Sequence, residues 1–299
     1  MDEDPASDDG VVAFAAALEG SIEAPYVIEA HESIPSTNER ARELAARGRC
    51  DVAVITDEQS RGRGRRDRGW TGPPGGIYAS VLLRPDRPPG DAPLFTLAGA
   101  VAAVRACEAV GVDAGIKWPN DVIVEADDDS DGNGDGEIAG RGGRKLAGVL
   151  TETETEGDRL SWLVVGIGIN ANVDPGTLPA GATSLRGELG EDVDRRVAIR
   201  ALLDRFHELA SDPDVVLSAW RERAITLGRR VRVETADGTI EGEAVDVTRP
   251  GALVVETGTD RHTIHAGECS HLRRVATETE TETESESETE PIENDDQED

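Results

Sequence analysis

The chain of 299 residues carries 61 Asp or Glu against 31 Lys or Arg, a formal net charge of -30. That charge excludes general attraction to polyanions, and the length allows one large domain with a small companion or two medium ones. Hydrophobic residues make up 37%, with three Phe and two Tyr, so any core must be packed from aliphatic side chains.

The chain opens on an acidic segment, 1–24, with no basic stretch ahead of an apolar one. Its run VVAFAAALEG is too short to cross a bilayer, so neither a signal peptide nor a membrane helix is expected. Residues 36–48 read as a helix: Ser36 and Glu39 form a capping box and Gly48 is the stop. DVAVITDEQ at 51–59 is a strand. It runs into DEQSRGRGRRDRGW, where five arginines (Arg61, Arg63, Arg65, Arg66 and Arg68) fall within eight residues. Residues 75–85 form a second strand, and 92–111 a long helix apolar nearly all round, hence buried. AGIKWPNDVIVE at 114–125 is a strand broken by Pro119, so WPND is a turn or bulge. The stretch 126–143 is an acidic, glycine-rich flexible loop.

Residues 144–172 read as a hairpin turning at 156–158, with GIGIN in its returning strand; two helices follow, one of them at 194–211. From Leu227 short strands alternate with turn triplets, a small all-β barrel or sandwich of about fifty residues. The tail, 276–299, is low in complexity and expected to be disordered. It holds twelve of the carboxylates, and removing them still leaves -18. Only two lysines occur, Lys117 and Lys145. A dispersed acidic surplus with so little lysine points to a protein of very salty surroundings, where the Debye length is only about 3 Å at 1 M. An ordinary acidic protein is the plainer alternative. Cys50, Cys107 and Cys269 show no metal spacing and fit reduced thiols in the cytoplasm.

Several segments carry chemistry. Glycines in the arginine loop allow close backbone approach to a ligand, guanidinium groups bind phosphate or carboxylate through paired donors, and Trp70 offers a flat wall. A solvated charged loop, or an RG segment gripping RNA, would use the same residues. Ser36, Thr37 and Asn38 stand at a helix N-terminus, which a simple cap also explains. KWPND at 117–121 has no propensity reason to contain Trp-Pro. Lys145 begins a strand, where a lone ammonium can meet a phosphate. Gly166 and Gly168 mark something packed against a buried strand, a ligand or a helix.

In this order the segments resemble the biotin–protein ligases: STN at 36–38, GRGRR at 62–66 with Trp70, KWPND at 117–121, KLAGVLTE at 145–152, GIGIN at 166–170, then a small barrel. The resemblance covers about residues 25–273. It departs at Asp67, where the family has glycine, and at the long acidic insertion after 125. It implies an α+β fold: a catalytic domain at 25–223 with a mixed central sheet flanked by helices, as in class II synthetases, and an SH3-like barrel at 227–275. It implies activation of biotin by ATP to biotinyl-5′-AMP and transfer to a lysine of a biotin carboxyl carrier protein. The family's winged-helix DNA-binding domain is not expected, nor are DNA or membrane partners; the chain would be a monomer or homodimer.

The same resemblance assigns Lys145, Arg63 and Arg65 to catalysis. Ser36, Thr37, Asn38, Gln59, Arg63, Gly64, Arg65, Lys145, Gly166 and Gly168 would hold biotin. Arg65, Arg66, Trp70, Lys117, Asn120, Asp121 and Asn170 would hold the nucleotide. No resident metal is expected; Mg2+ would arrive with ATP, and Asp121 is the side chain placed to help hold it. A lipoate-type ligase is the nearest alternative within enzymes.

Overall fold

The computed structural model describes residues 8–70, 72–125 and 143–272. The expected acidic tail and nearly all of the 126–143 loop lie outside the described residues.

The larger body is built on a seven-stranded sheet: β1 (Val27–Ile34), β2 (Val52–Gln59), β3 (Ile77–Leu83), β4 (Gly115–Lys117), β5 (Asp121–Glu125), β6 (Gly143–Glu156) and β7 (Arg159–Ile169). The spatial order is β1-β2-β3-β7-β6-β5-β4. Only β1 and β2 run parallel; every other neighbouring pair is antiparallel, so the sheet is mixed as expected.

Both faces are covered, because strand residues alternate between two apolar layers. Val52, Val54, Leu82 and Val164 point to a small layer completed by Ala41, Leu44 and Ala45 of α2 (Thr37–Ala46). Ala53, Ile55, Val81 and Val165 point the other way, into the main core. That core is closed by α3 (Ala92–Glu108), α5 (Arg195–Ser211) and α6 (Val216–Arg223). The all-round apolarity of α3 is explained by its place between the sheet and α5: Leu94, Phe95, Leu97 and Val104 are all 2% exposed or less. A short helix, α4 (Leu185–Leu189), precedes α5.

Three described elements escape a reading by pattern. The helix α1 (Asp8–Glu19) docks by Leu18, and its Glu19 Oε1 accepts from the Ile28 amide at 2.6 Å. β1 carries Glu29, His31 and Glu32 because it is an edge strand, and only Ile28 of it is fully buried. β12 (Glu268–His271) is too short and polar to announce itself. WPND proves to be a tight hairpin in which Lys117 pairs with Asp121 across β4 and β5.

The smaller body is a five-stranded antiparallel sheet of β8 (Arg230–Thr235), β9 (Gly238–Thr248), β10 (Ala252–Thr257), β11 (Asp260–Ile264) and β12, ordered β11-β10-β9-β8-β12. It is tied to the larger body through Trp118, whose indole N–H donates to the Gly251 carbonyl at 2.9 Å. The Trp118 amide donates to Thr226 Oγ1, which in turn meets His271 Nε2 at 3.1 Å. Arg249 adds ion pairs to Asp91 and Asp214. Among the described residues no helix is long and apolar enough to cross a membrane.

Candidate active site

A cavity of about 380 Å3 opens over the middle of the sheet. Its floor is the paired stretch of β6 and β7, where Gly148 faces Gly168 and Leu150 faces Gly166. One wall is the start of α2, another the arginine loop, and the far end is the KWPND turn with Lys145. All the site residues expected from the sequence line it except Lys117.

The glycines of the floor are there for contact. An alanine methyl at Gly166 would sit 2.0 Å from Asn38 Oδ1, and one at Gly168 would sit 2.8 Å from the Trp70 indole. Of the two readings open for GIGIN, the helix contact holds at Gly166, through Asn38 of α2, whereas Gly168 receives the Trp70 ring. Trp70 also covers Gly148, and its indole nitrogen is buried without a partner among the described residues.

At the α2 end, Ser36 caps the helix. Thr37 donates to Gln59 Oε1 from both its amide, at 2.8 Å, and its hydroxyl, at 3.1 Å. Ser80 of β3 donates towards Thr37 Oγ1 and Asn38 Oδ1. Ser36, Thr37, Asn38 and Ser80 are buried and Gln59 is half-buried, so their hydrogen bonds fix them before any ligand arrives.

At the other end stand the charges. Lys145 Nζ is 2.5 Å from Asp121 Oδ1 and lies over the Trp70 ring, 5.3 Å from its centroid. The strand holds it rigidly, since Gly181 and Thr183 bond its backbone on the open side. This also brings Leu178, Pro179 and Ala182 to the cavity, a contribution that a Gly/Pro-rich loop does not advertise in sequence. Asn120 accepts from Arg65 at 2.9 Å and donates to the Val149 carbonyl at 2.7 Å. Asn170 anchors the floor by donating to Thr183 O.

The arginine loop folds inward. Arg63 donates to Glu152 at 2.6 Å. Arg65 reaches both Asn120 and the Gly267 carbonyl of the small body, and burial presses its pKa below the usual arginine value. A guanidinium stays charged even so. Arg66 and Arg68 both pair with Glu268, and the Arg68 contact in particular holds the Glu268 carboxyl below its ordinary range. Gly267 and Glu268 are thus part of the site although they lie some 200 residues further along the chain, beyond any local pattern.

Lys117 takes a different position from its neighbours. It is buried in β4 away from the cavity lining, and its charge bears on Glu268 and His271. KWPND is therefore divided: Lys117 and Trp118 serve the junction with the small body, and Asn120 and Asp121 serve the cavity. Among the described residues no group of three His, Cys, Asp or Glu could hold a metal ion. Asp121, already paired with Lys145, suits a metal that comes with phosphate oxygens rather than a resident one.

A cavity with a neutral polar end, a flat apolar middle and a cationic end suits a molecule with an apolar body and an anionic terminus. Comparison with known proteins agrees. Residues 31–170 match the biotin/lipoate A/B protein ligase family, and residues 226–272 match the biotin protein ligase C-terminal domain. The bifunctional ligase/repressor BirA of Bacillus subtilis is 34% identical over 80% of this chain and 72% of its own. The biotin–[acetyl-CoA-carboxylase] ligase of Paracoccus denitrificans is 31% identical over 78% of this chain and 95% of its own. The biotin protein ligase of Aquifex aeolicus, solved with biotin and ATP, superposes with a TM-score of 0.64 at 26% identity, covering 82% of this chain and 98% of that one. With a ligase-like site, both domains matched and relatives aligned along most of their length, the chain belongs to the biotin/lipoate A/B protein ligase family.

Proposed function

We propose that the chain joins biotin to ATP as biotinyl-5′-AMP and passes the biotinyl group to a lysine of a biotin carboxyl carrier protein. In the first step a biotin carboxylate oxygen bonds to the α-phosphorus, and the bond from that phosphorus to the departing pyrophosphate breaks. In the second the lysine nitrogen bonds to the acyl carbon, AMP leaves with the bridging oxygen, and the amine proton passes to solvent. The observation that carries this reading is the convergence of Thr37, Gln59, Trp70, Lys145, Arg63 and Arg65 on one cavity.

The residues divide the work by chemistry. Gln59, with Ser36, Thr37 and Asn38 behind it, meets the neutral ureido head, and the Trp70 and glycine floor takes the apolar chain. Lys145 stands where the carboxylate meets the α-phosphate, and a fixed cation there stabilises the charge that grows in the transition state. Arg63 and Arg65 clamp the adenylate, Arg66 adds charge to the rim, and Asn120, Asp121 and Asn170 frame the nucleotide. Lys117 acts from behind, by setting the junction. Asp121 is the side chain that would help hold Mg2+ brought on the ATP phosphates, which would supply charge neutralisation there. The closed arginine loop keeps water from the mixed anhydride.

All five loop arginines have a partner within the protein, which does not favour an RG segment laid out for RNA. The enzyme is taken to be cytoplasmic, to act without DNA, and to work in concentrated salt. Biotin-dependent exchange of labelled pyrophosphate into ATP, run in molar KCl, tests the reading. Exchange with biotin is expected; exchange with lipoate alone, or none, would overturn it.

A further inference from the structure

Glu152 of β6 stands beside the cavity, between the start of α2 and the arginine loop, and nothing above gives it a task. Its two oxygens are divided between two parts of the site. Oε2 accepts from the Asn38 amide nitrogen at 2.7 Å, and Oε1 accepts from Arg63 at 2.6 Å. Arg42 of α2 stands 3.9 Å from Oε1. The side chain is only 21% exposed, so these charge-assisted bonds are partly shielded from water and outweigh an ordinary surface pair.

The carboxylate has directional consequences. Asn38 spends its whole amide inside the protein: Nδ2 on Glu152, Oδ1 accepting from Ser80 at 2.6 Å. Because a carboxylate only accepts, Glu152 is the main group that turns the Asn38 amide, with the Leu150 carbonyl a longer contact of Nδ2 at 3.5 Å. Ser80 is then left to donate, its single hydrogen shared between Asn38 Oδ1 and Thr37 Oγ1, the latter at 2.7 Å. The Thr37 hydroxyl must in turn donate to Gln59 Oε1, which also takes the Thr37 amide. The Thr37 amide by itself keeps Gln59 Oε1 as an acceptor, so Nε2 is the atom Gln59 offers to the cavity, and the Thr37 hydroxyl at the end of the chain from Glu152 adds a second bond that steadies it.

We infer that Glu152 is a positioning residue: one carboxylate both sets the polarity of the Asn38–Ser80–Thr37 side-chain bonds that brace Gln59 and holds Arg63 of the loop, so the head-group end and the anion end of the site are aligned by the same side chain. The inference rests on the biotin reading above and names the residue that prepares biotin's pocket without touching biotin.

Two variants test it by calorimetric biotin titration beside pyrophosphate exchange. Glu152→Gln offers an N–H to one of two donors. The dissociation constant for biotin is expected to rise about tenfold, in line with the loss of a group that orients a ligand contact, while the KM for ATP stays within about twofold, because the new amide keeps its oxygen on Arg63 and turns its N–H against Asn38. The double variant Asn38→Asp with Glu152→Gln restores every bond with one link reversed. The new amide donates to the new carboxylate, which still accepts from Ser80, and the new amide oxygen still accepts from Arg63. Its biotin affinity is expected within about threefold of the starting protein. The inference is overturned if Glu152→Gln binds biotin normally, if the KM for ATP rises in step, or if the double variant is no better than the single. Should the single variant fail to fold, the double variant decides alone: near-normal affinity supports the inference and lost affinity overturns it. An unaltered protein that binds no biotin would instead defeat the functional reading itself.

Discussion

An alanine at Gly166 would bring a methyl carbon to 2.0 Å from Asn38 Oδ1, a separation that no relaxation of a rigid strand absorbs. The strand and α2 must part, and overpacking of this kind costs about 1–3 kcal/mol. Gly166→Ala is expected to lower the melting temperature by several degrees, about 2–4 °C for each kcal/mol in a chain of this size, and to weaken biotin binding with it. Gly90→Ala, where nothing stands within 4 Å of the added carbon, is the control and should change neither. Calorimetric melting beside biotin titration reads both. The residue scale is also where sequence was most informative. An arginine run, two lysines in a chain that avoids lysine, and two glycines in a buried strand each break a local rule, and all of these but Arg61 and Lys117 border the cavity.

Among the elements, α3 and α5 form the back of the active sheet without touching its ligand face. Leu202 of α5 is fully buried in that layer. Leu202→Ala is expected to cost about 2–5 kcal/mol of stability through the cavity it leaves. Because β6 and β7 keep their own hydrogen bonds, the KM for biotin should stay near normal at temperatures where the protein is folded; a rise there would show that the helices shape the site directly. The longer elements were legible because their periodicity is that of their burial: α3 is apolar nearly all round and buried nearly all round, with Arg105 at its exposed edge, and 194–211 repeats as α5 does. β1 was not, since an edge strand buries one face by one residue and keeps its charges. Nor was β12, whose sequence ECSH holds no signal of its own, yet which brings Glu268 to the loop. Pairing across 200 residues is a property of the folded chain, and no window of sequence contains it.

For the molecule as a whole, the surplus of carboxylates sets how it answers to its solvent. Raising KCl from about 0.1 M to 1 M shortens the Debye length from about 10 Å to 3 Å and removes most long-range repulsion. The exposed Arg–acid pairs it also weakens are worth little each. The melting temperature is therefore expected to climb with KCl; a flat or falling curve would mark an ordinary acidic protein. Acid should act through the junction. Burial, reinforced by Lys117, lowers the His271 pKa from 6.5 to about 3. Between these values the unfolded chain takes a proton that the folded one refuses, so stability present above pH 6.5 is lost as pH falls. At pH 5 the loss is about 2 kcal/mol. His271→Asn should melt with a shallower dependence on pH between 7 and 5, measured by circular dichroism.

The division of KWPND has a consequence for how such enzymes can be recombined. Within five residues the chain passes from one body's service to the other's: the Trp118 indole is moored on Gly251, and Asn120, two steps on, steadies Arg65, which is itself moored on Gly267. The five-stranded module is thus no detachable accessory. A graft that exchanged it for a relative's would have to carry matching Gly251 and Gly267–Glu268 corners, or the hybrid would assemble and yet leave its arginine flap unlatched.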